Sequence, residues 1–337
     1  MILSVTPNPS LDATIELLGP LSPGQVHRAV SGHRGPGGKG VNVSRALAAA
    51  ETETLALLPG DSGDALLTAL ETIELPHHTV PIGAPLRTNI TITDPTGTTT
   101  KINEPGPRFK AETTSAFVNL VVEHAWQASW VALAGSLPPG APESFYARLI
   151  HQIRRDDSLR KPLIAVDSSG AALVQAITAQ PDLIKPNAEE LLELHRNVHG
   201  VRSTAEETPE TLEANVELAA NLTVSLQPFG VRAALVTLGA RGALFVPAAP
   251  NLDAPLLFAY GPSLAARSTV GAGDAALAGF LYAHQRGDSD ADCLRQAVAH
   301  GRAAATLPGS AMPGPKDLSL VDVAVDEINT TMKGSPS

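Results

Sequence analysis

WVALAGSLPPGAPESFYARLIHQIR at positions 130–154, with LIAVD following at 163–167, carries the fold in miniature. Trp130–Ala134 is a short apolar run bounded by turn residues, and reads as a buried strand. GSLPPG supplies the glycines and prolines of a turn. Positions 142–154 place apolar residues at helical spacing, and 163–167 is a second buried strand. Strand, helix and strand in that order make a right-handed crossover between parallel neighbours. The alternation runs along most of the chain. Strands are expected at 2–5, 54–58, 183–185 and 233–237. Helices are expected at 40–50, 62–70, 189–195, 212–222, 272–285 and 292–306. The class is therefore α/β with a central, mostly parallel sheet, whose ligands sit at the carboxyl ends of its strands.

Composition agrees. Of the 337 residues, 43% are hydrophobic but only 4% aromatic, which suits a parallel sheet flanked by Ala-rich helices. The formal net charge of −10 argues against nucleic-acid binding, which needs a basic surface to displace counterions. A small anionic substrate remains compatible, because a few local Arg and Lys side chains suffice for it. The single cysteine, Cys293, cannot form an intramolecular disulfide, and no Cys/His cluster has zinc spacing. No apolar run approaches a membrane span. The opening MILSVTPNPSLD has neither a basic n-region nor a cleavable apolar stretch, so the expected compartment is the cytoplasm.

Two segments break the rhythm. RTNITITD at 87–94 alternates polar and apolar residues, turns at Pro95-Thr96-Gly97 and returns as a strand at 98–103. Positions 14–34 are also strand-like. Together these segments are expected to form a small antiparallel sheet outside the main one, a lid spanning about 12–34 and 86–106. The stretch 196–209 reads as a surface loop and 330–337 as a disordered tail, leaving 1–329 as one domain.

Two glycine-rich turns carry chemistry. GPGGKGVN at 35–42 lets a polar ligand approach the backbone, with Lys39 and Asn42 supplying donors. It contains Gly35-x-Gly37-x-x-Gly40, which formally matches a dinucleotide fingerprint, so an oxidoreductase is one rival reading. STVGAGDAALAGF at 268–280 places Gly271 and Gly273 ahead of an apolar helix. The free N–H groups and the dipole at that helix start make an anion site. An acid beside an anion hole, Asp274, makes sense if it accepts a proton as a phosphoryl group is transferred. A second rival, a non-catalytic sugar or nucleotide sensor, leaves that acid without a purpose.

These two turns, in this order, resemble the two signatures of the ribokinase-like (PfkB) carbohydrate kinases. Other motifs fit between and around them: NPSLD with Asp12, AGSLPPG at 134–140, KPNAEE with Lys185, Asn187 and Glu190, and VTLGARGA with Thr237, Gly239 and Gly242. The resemblance covers about 2–309. Two departures stand out: Ser268 opens the second signature where Asp is usual, and Ala275 follows Asp274 where Ser is common.

The resemblance implies a three-layer fold with a β-sheet lid, ATP and Mg²⁺ as cofactors, and Asp274 as base. The N–H groups after Gly271, those of Ala272 and Gly273, would stabilise the transferring phosphoryl group. Asp12 and Asn42 would bind sugar hydroxyls beside the Gly37–Gly38 backbone. Asn187 and Glu190 would arrange Mg²⁺ through water. Adenine would lie between the 239–242 turn and 300–310, with His300 able to touch the base. The hairpin and the TPNPSLD opening point to the sugar-phosphate branch, with fructose 1-phosphate expected before tagatose 6-phosphate or fructose 6-phosphate. Its phosphate needs cations remote from Asp274, taken from Arg28, Lys39, Arg87, Lys101 and Arg108, with Arg87 first. A homodimer through the lid is the expected assembly.

Overall fold

The structure, a computed structural model, describes residues 1–155, 161–201, 207–248 and 255–328. The chain opens with β1 (Ile2–Val5), β2 (Ser10–Leu17), β3 (Ala29–Gly37), α1 (Lys39–Ala49), β4 (Thr54–Pro59), α2 (Ala65–Thr72) and β5 (His77–Val80). It continues through β6 (Arg87–Thr93), β7 (Thr99–Asn103), α3 (Ala111–Ala125), β8 (Trp130–Ala134), α4 (Phe145–Ile153), β9 (Leu163–Asp167) and α5 (Gly170–Ile177). Next come β10 (Leu183–Ile184), α6 (Ala188–His199), α7 (Pro209–Ala214), α8 (Val216–Ser225) and β11 (Ala233–Thr237). The last elements are β12 (Ala243–Val246), β13 (Leu256–Tyr260), α9 (Ala272–Gln285), α10 (Asp290–Thr306) and β14 (Ala324–Ile328).

The main sheet has the order β14-β13-β12-β11-β10-β9-β8-β1-β4-β5. It is parallel from β5 to β11 and antiparallel from β11 to β14. Successive strands depart from β1 in opposite directions, through β4 on one side and β8 on the other. A crevice therefore opens beyond the carboxyl ends of β1 and β8.

Strand periodicity divides the core. Leu3 and Val5 face a cluster with Phe117, Phe145, Leu149, Leu191 and Leu222, from α3, α4, α6 and α8. Ile2 faces the other cluster, with Val43, Leu47, Leu277, Leu281 and Leu294 from α1, α9 and α10. Ser4, on that second face, meets Ser44 of α1 at 2.8 Å; Ser44 meets Thr54 of β4 at 2.8 Å, and Thr54 donates to the Ile2 carbonyl. This buried hydroxyl chain ties α1, which carries the first glycine signature, to β1 and β4.

The small sheet has the order β3-β2-β6-β7. It is mixed, which corrects the antiparallel expectation: β2 pairs with β6 in parallel, Ser10 opposite Arg87 and Glu16 opposite Thr93. β1 and β5 run the same way in the main sheet, so β2 and β6 leave it from the same end and in the same direction. Positions 18–28, read as strand-like, belong to no strand.

Other boundaries differ for local reasons. The helix expected at 212–222 is two helices, α7 and α8. Asn215 ends the first in an extended conformation, and its side chain caps the second through the Leu218 N–H. The loop expected from 196 onwards begins later, because α6 runs through His199 to a left-handed Gly200. Positions 202–206 and the tail at 330–337 lie outside the described residues. Among the described residues no helix is long and apolar enough to cross a membrane.

Candidate active site

α9 begins at Gly271, whose φ of 79° suits glycine, and no side chain caps it. Its first-turn N–H groups lack helical acceptors. Ala272 N is 3.4 Å from the Thr269 carbonyl, which leaves the following amides the freer donors. The methyl of Met312 lies against Gly271, where a Cβ would come within 2.7 Å of it. Lys185 Nζ would be 3.4 Å from a Cβ on Gly273, so a buried ammonium stands beside the amides. Uncapped amides and a cation are the groups that an anion site requires.

Asp274 is buried in that turn, 7% exposed, and accepts a hydrogen bond from Asn42 Nδ2 at 2.9 Å. Burial first, and the Asp167 charge second, push its carboxyl up to about 6, against the pull of Lys39, Asn42 and Lys185. A carboxylate with its pKa near working pH is suited to taking up a proton.

Lys39 does not serve as a free sugar-side cation. It donates to Asp167 Oδ1 at 2.7 Å and Glu190 Oε1 at 3.0 Å. Two largely buried acids require a counter-charge, and Lys39 is held between them. Asp167 also pairs with Lys185 at 3.1 Å and is fully buried. Sequence reading missed Asp167; its position at the carboxyl end of the parallel strand β9 was the available signal.

Asn187 and Glu190 form a reciprocal capping box on α6. Both Glu190 oxygens have protein partners, Lys39 and the Asn187 N–H. Among the described residues no group of three or more His, Cys, Asp or Glu side chains could hold a metal. The arrangement fits a Mg²⁺ carried by nucleotide phosphates and reached through water.

Thr237 bridges Asn187, and Gly239 touches the Glu213 carboxylate, which lies 2.8 Å from where its Cβ would stand. Gly242 is required by the fold instead: a Cβ there would lie 2.0 Å from the Ala259 carbonyl. His300 is 1% exposed, its Nδ1 bonded to the Gln296 carbonyl and its ring packed on Gly279 of α9. This corrects its expected contact with adenine, since glycine at 279 lets α10 approach closely and encloses the imidazole.

Asp12, on β2, accepts from Ser10 Oγ at 2.7 Å and Asn89 Nδ2 at 3.3 Å. A Cβ on Gly37 would stand 2.1 Å from its carboxylate, so glycine there lets β3 close over the acid. Arg87 Nη2 donates to the Asn8 carbonyl at 2.9 Å and Nη1 to the Glu104 carbonyl at 3.2 Å. Its buried Nε and the Asn8 Oδ1 have no protein partner. Both residues line a cavity of about 510 Å³ with Ser136, Pro138, Gly140 and Glu143, at the crevice between β1 and β8. Arg108 flanks it, Nη1 lying 3.3 Å from where a Gly140 Cβ would stand. Asn8, Asn89 and Ser136 went unremarked in the sequence. Arg28 and Lys101 are exposed side chains of the small sheet and its loop, and the structure does not bring them to the cavity.

A model of the pfkB family carbohydrate kinases matches residues 6–317. The chain belongs to this family. The kinase is 34% identical to a 1-phosphofructokinase of Haloferax volcanii over 330 residues, 97% of this chain and 98% of that one. A 1-phosphofructokinase of Rhodobacter capsulatus is 32% identical, over 95% of each chain. Phosphofructokinase-2 from Escherichia coli, solved in complex with substrates and products, superposes with a TM-score of 0.79 at 28% identity, over 94% of this kinase and 96% of that chain. The dinucleotide reading falls with the fold: Gly35 and Gly37 lie in β3 of the small sheet, with Gly40 in α1, and β1 runs into β2 instead.

Proposed function

We propose that this kinase transfers the γ-phosphoryl group of ATP to the 6-hydroxyl of fructose 1-phosphate, giving fructose 1,6-bisphosphate and ADP. The observation that carries the reading is the buried Asp274 carboxylate at the uncapped start of α9, beside Lys185. Asp274 takes the hydroxyl proton as the sugar oxygen bonds to phosphorus and the bond from phosphorus to the bridging oxygen of ADP breaks. The first amides of α9 and Lys185 hold the charge on the transferring group. Bound Mg²⁺ would neutralise the phosphate oxygens of ATP, with Glu190 and Asn187 meeting its waters.

At the sugar end, Asp12 accepts from ring hydroxyls, and Arg87, whose Nη groups each already donate once to a backbone carbonyl, offers its remaining N–H groups to the existing phosphate. The relatives named 1-phosphofructokinase favour the 1-phosphate; tagatose 6-phosphate and fructose 6-phosphate are the alternatives. ADP release measured with the three sugar phosphates tests the choice. The specificity constant is expected to be greatest for fructose 1-phosphate, and an equal or greater value for either rival overturns it.

Arg87→Ala is expected to weaken the sugar phosphate by about 2–4 kcal/mol, the worth of a lost charged hydrogen-bonding partner. KM for ATP should stay within a few-fold. Equal loss for both ligands would remove Arg87 from the phosphate site.

The small sheet would act as a lid that keeps water from the phosphoryl group. Leu18, Val26, Val30 and Ile102 are exposed on it and its loop, at 78%, 93%, 59% and 52%. We propose that a second copy covers them. Sedimentation should give a dimer, dissociated by Val30→Glu; a monomeric native chain would refute this.

A further inference from the structure

We infer that Arg45 is a positioning residue for the base: its guanidinium fixes the Asn42 amide so that the NH₂ end faces the Asp274 carboxylate. The inference rests on Asp274 acting as the base. Asn42 and Arg45 are three residues apart on α1 and therefore share a face. Arg45 Nη1 donates to Asn42 Oδ1 at 3.0 Å, and Asn42 Nδ2 donates to Asp274 Oδ2 at 2.9 Å. An amide has two unlike ends of nearly equal shape. Turned the other way, Asn42 would set its oxygen against a carboxylate and its NH₂ against a guanidinium, two repulsive contacts in a buried place. Arg45 thus selects one of two orientations.

The arginine is itself anchored. The same Nη1 is 3.0 Å from the Pro36 carbonyl at the end of β3, beside Gly37 and so beside Asp12. Its charge acts on both Asp12 and Asp274. One guanidinium therefore connects the sugar-side strand, the amide and the base. A lysine could place a charge there, but it would lack the planar fork that holds this geometry.

Four variants test the assignment: Arg45→Met, Arg45→Lys, Asn42→Ala and the double Arg45→Met/Asn42→Ala. Their turnover would be measured with fructose 1-phosphate and ATP, and their folding checked by thermal unfolding. Arg45→Met is expected to lower kcat about tenfold to a hundredfold, the usual worth of a hydrogen bond to a charged group. KM for ATP should hold. Arg45→Lys should recover part of the loss. In the Asn42→Ala background, removing Arg45 should cost no more than about twofold, because the two residues act as one unit.

The acid limb of the kcat profile should move to higher pH by about half to one unit in Arg45→Met, as a cation and an ordered donor are lost. The other groups facing Asp274 are Asp167 from β9, Lys39 from α1 and Lys185 after β10, and all remain in place. A full loss persisting in the Asn42→Ala background, with the acid limb unmoved, would confine Arg45 to holding Pro36 and overturn the inference. Near-normal turnover of Asp274→Asn would remove the base itself, a separate failure that the Arg45–Asn42 cycle does not share.

Discussion

Asp274→Asn is expected to lower kcat by roughly two to four orders of magnitude, the usual worth of a positioned general base, while raising the melting temperature at neutral pH. Both effects come from one environment. Burial and the Asp167 charge disfavour the ionised form, holding the carboxyl up at about 6 against an ordinary 3.8. Between those two values the folded chain keeps a proton that the unfolded chain has lost. Stability contributed by this group therefore falls as pH rises through that window, and stays lost above about 6. An asparagine of the same shape carries no charge to desolvate. The variant should gain about 1–3 kcal/mol at pH 7 and above, read as a rise of a few degrees in Tm. Native kcat should fall as pH drops through about 6, where the base becomes protonated. A variant with unchanged turnover would reduce Asp274 to a helix-terminal residue; one with lost turnover and lowered stability would contradict the electrostatic account.

Asp167→Ala should be the most destabilising polar change in the site, by about 3–5 kcal/mol, the range for removing one partner of a buried ionic group. Burial alone would raise the Asp167 carboxyl, but the Lys185 and Lys39 charges outweigh it and hold it below the ordinary range. Its stabilising contribution is thus present above the ordinary aspartate pKa and is lost as acid titrates it below. Without Asp167, the buried Lys185 and the partly buried Lys39 lose their common partner. Thermal unfolding at pH 8 should show a drop of about 10 °C. Asp167→Asn, which keeps the shape, should also move the acid limb of kcat downward, because the Asp167 charge helps to raise Asp274. That is opposite in sign to the shift expected for Arg45→Met. A melting temperature within a degree of native would mean that the lysines find other partners.

The sequence carried the fold where one local signal sufficed. Trp130–Ala134 and Leu163–Asp167 read as strands because each is a short apolar run between turns, and the structure places them side by side, Trp130 opposite Leu163. The turns before α1 and α9 were legible because glycine is needed there. β14 was not, because a run such as AVDEI at an edge carries little apolar signal; β13, LLFAY, carries that signal and was passed over. The parallel pairing of β2 with β6 was hidden too, since it depends on where β1 and β5 end in space. In the site, Asp274 announced itself through its neighbours in sequence. Asp167, Arg45 and Asn8 did not, because each acquires its meaning from partners many residues away: Lys39 for Asp167, Asp274 through Asn42 for Arg45, and Arg87 for Asn8. For Lys39 the sequence could show a cation but not the two acids that claim it.

The parallel pairing of β2 with β6 also has a mechanical meaning. Both strands are rooted at the same end of the main sheet, so a swing of the four-stranded flap would pivot near Ser10 and Arg87, opposite one another in register. β2 is eight residues long, about 26 Å at roughly 3.3 Å per residue. A swing of about 10° would carry the tip, near Leu17 and Thr93, some 4–5 Å, by the same strand length. Arg87, at that pivot, would scarcely shift. A phosphate held by Arg87, as proposed above, would therefore sit where such a motion is smallest, and the sugar could stay held at one end while the roof above it opened and shut.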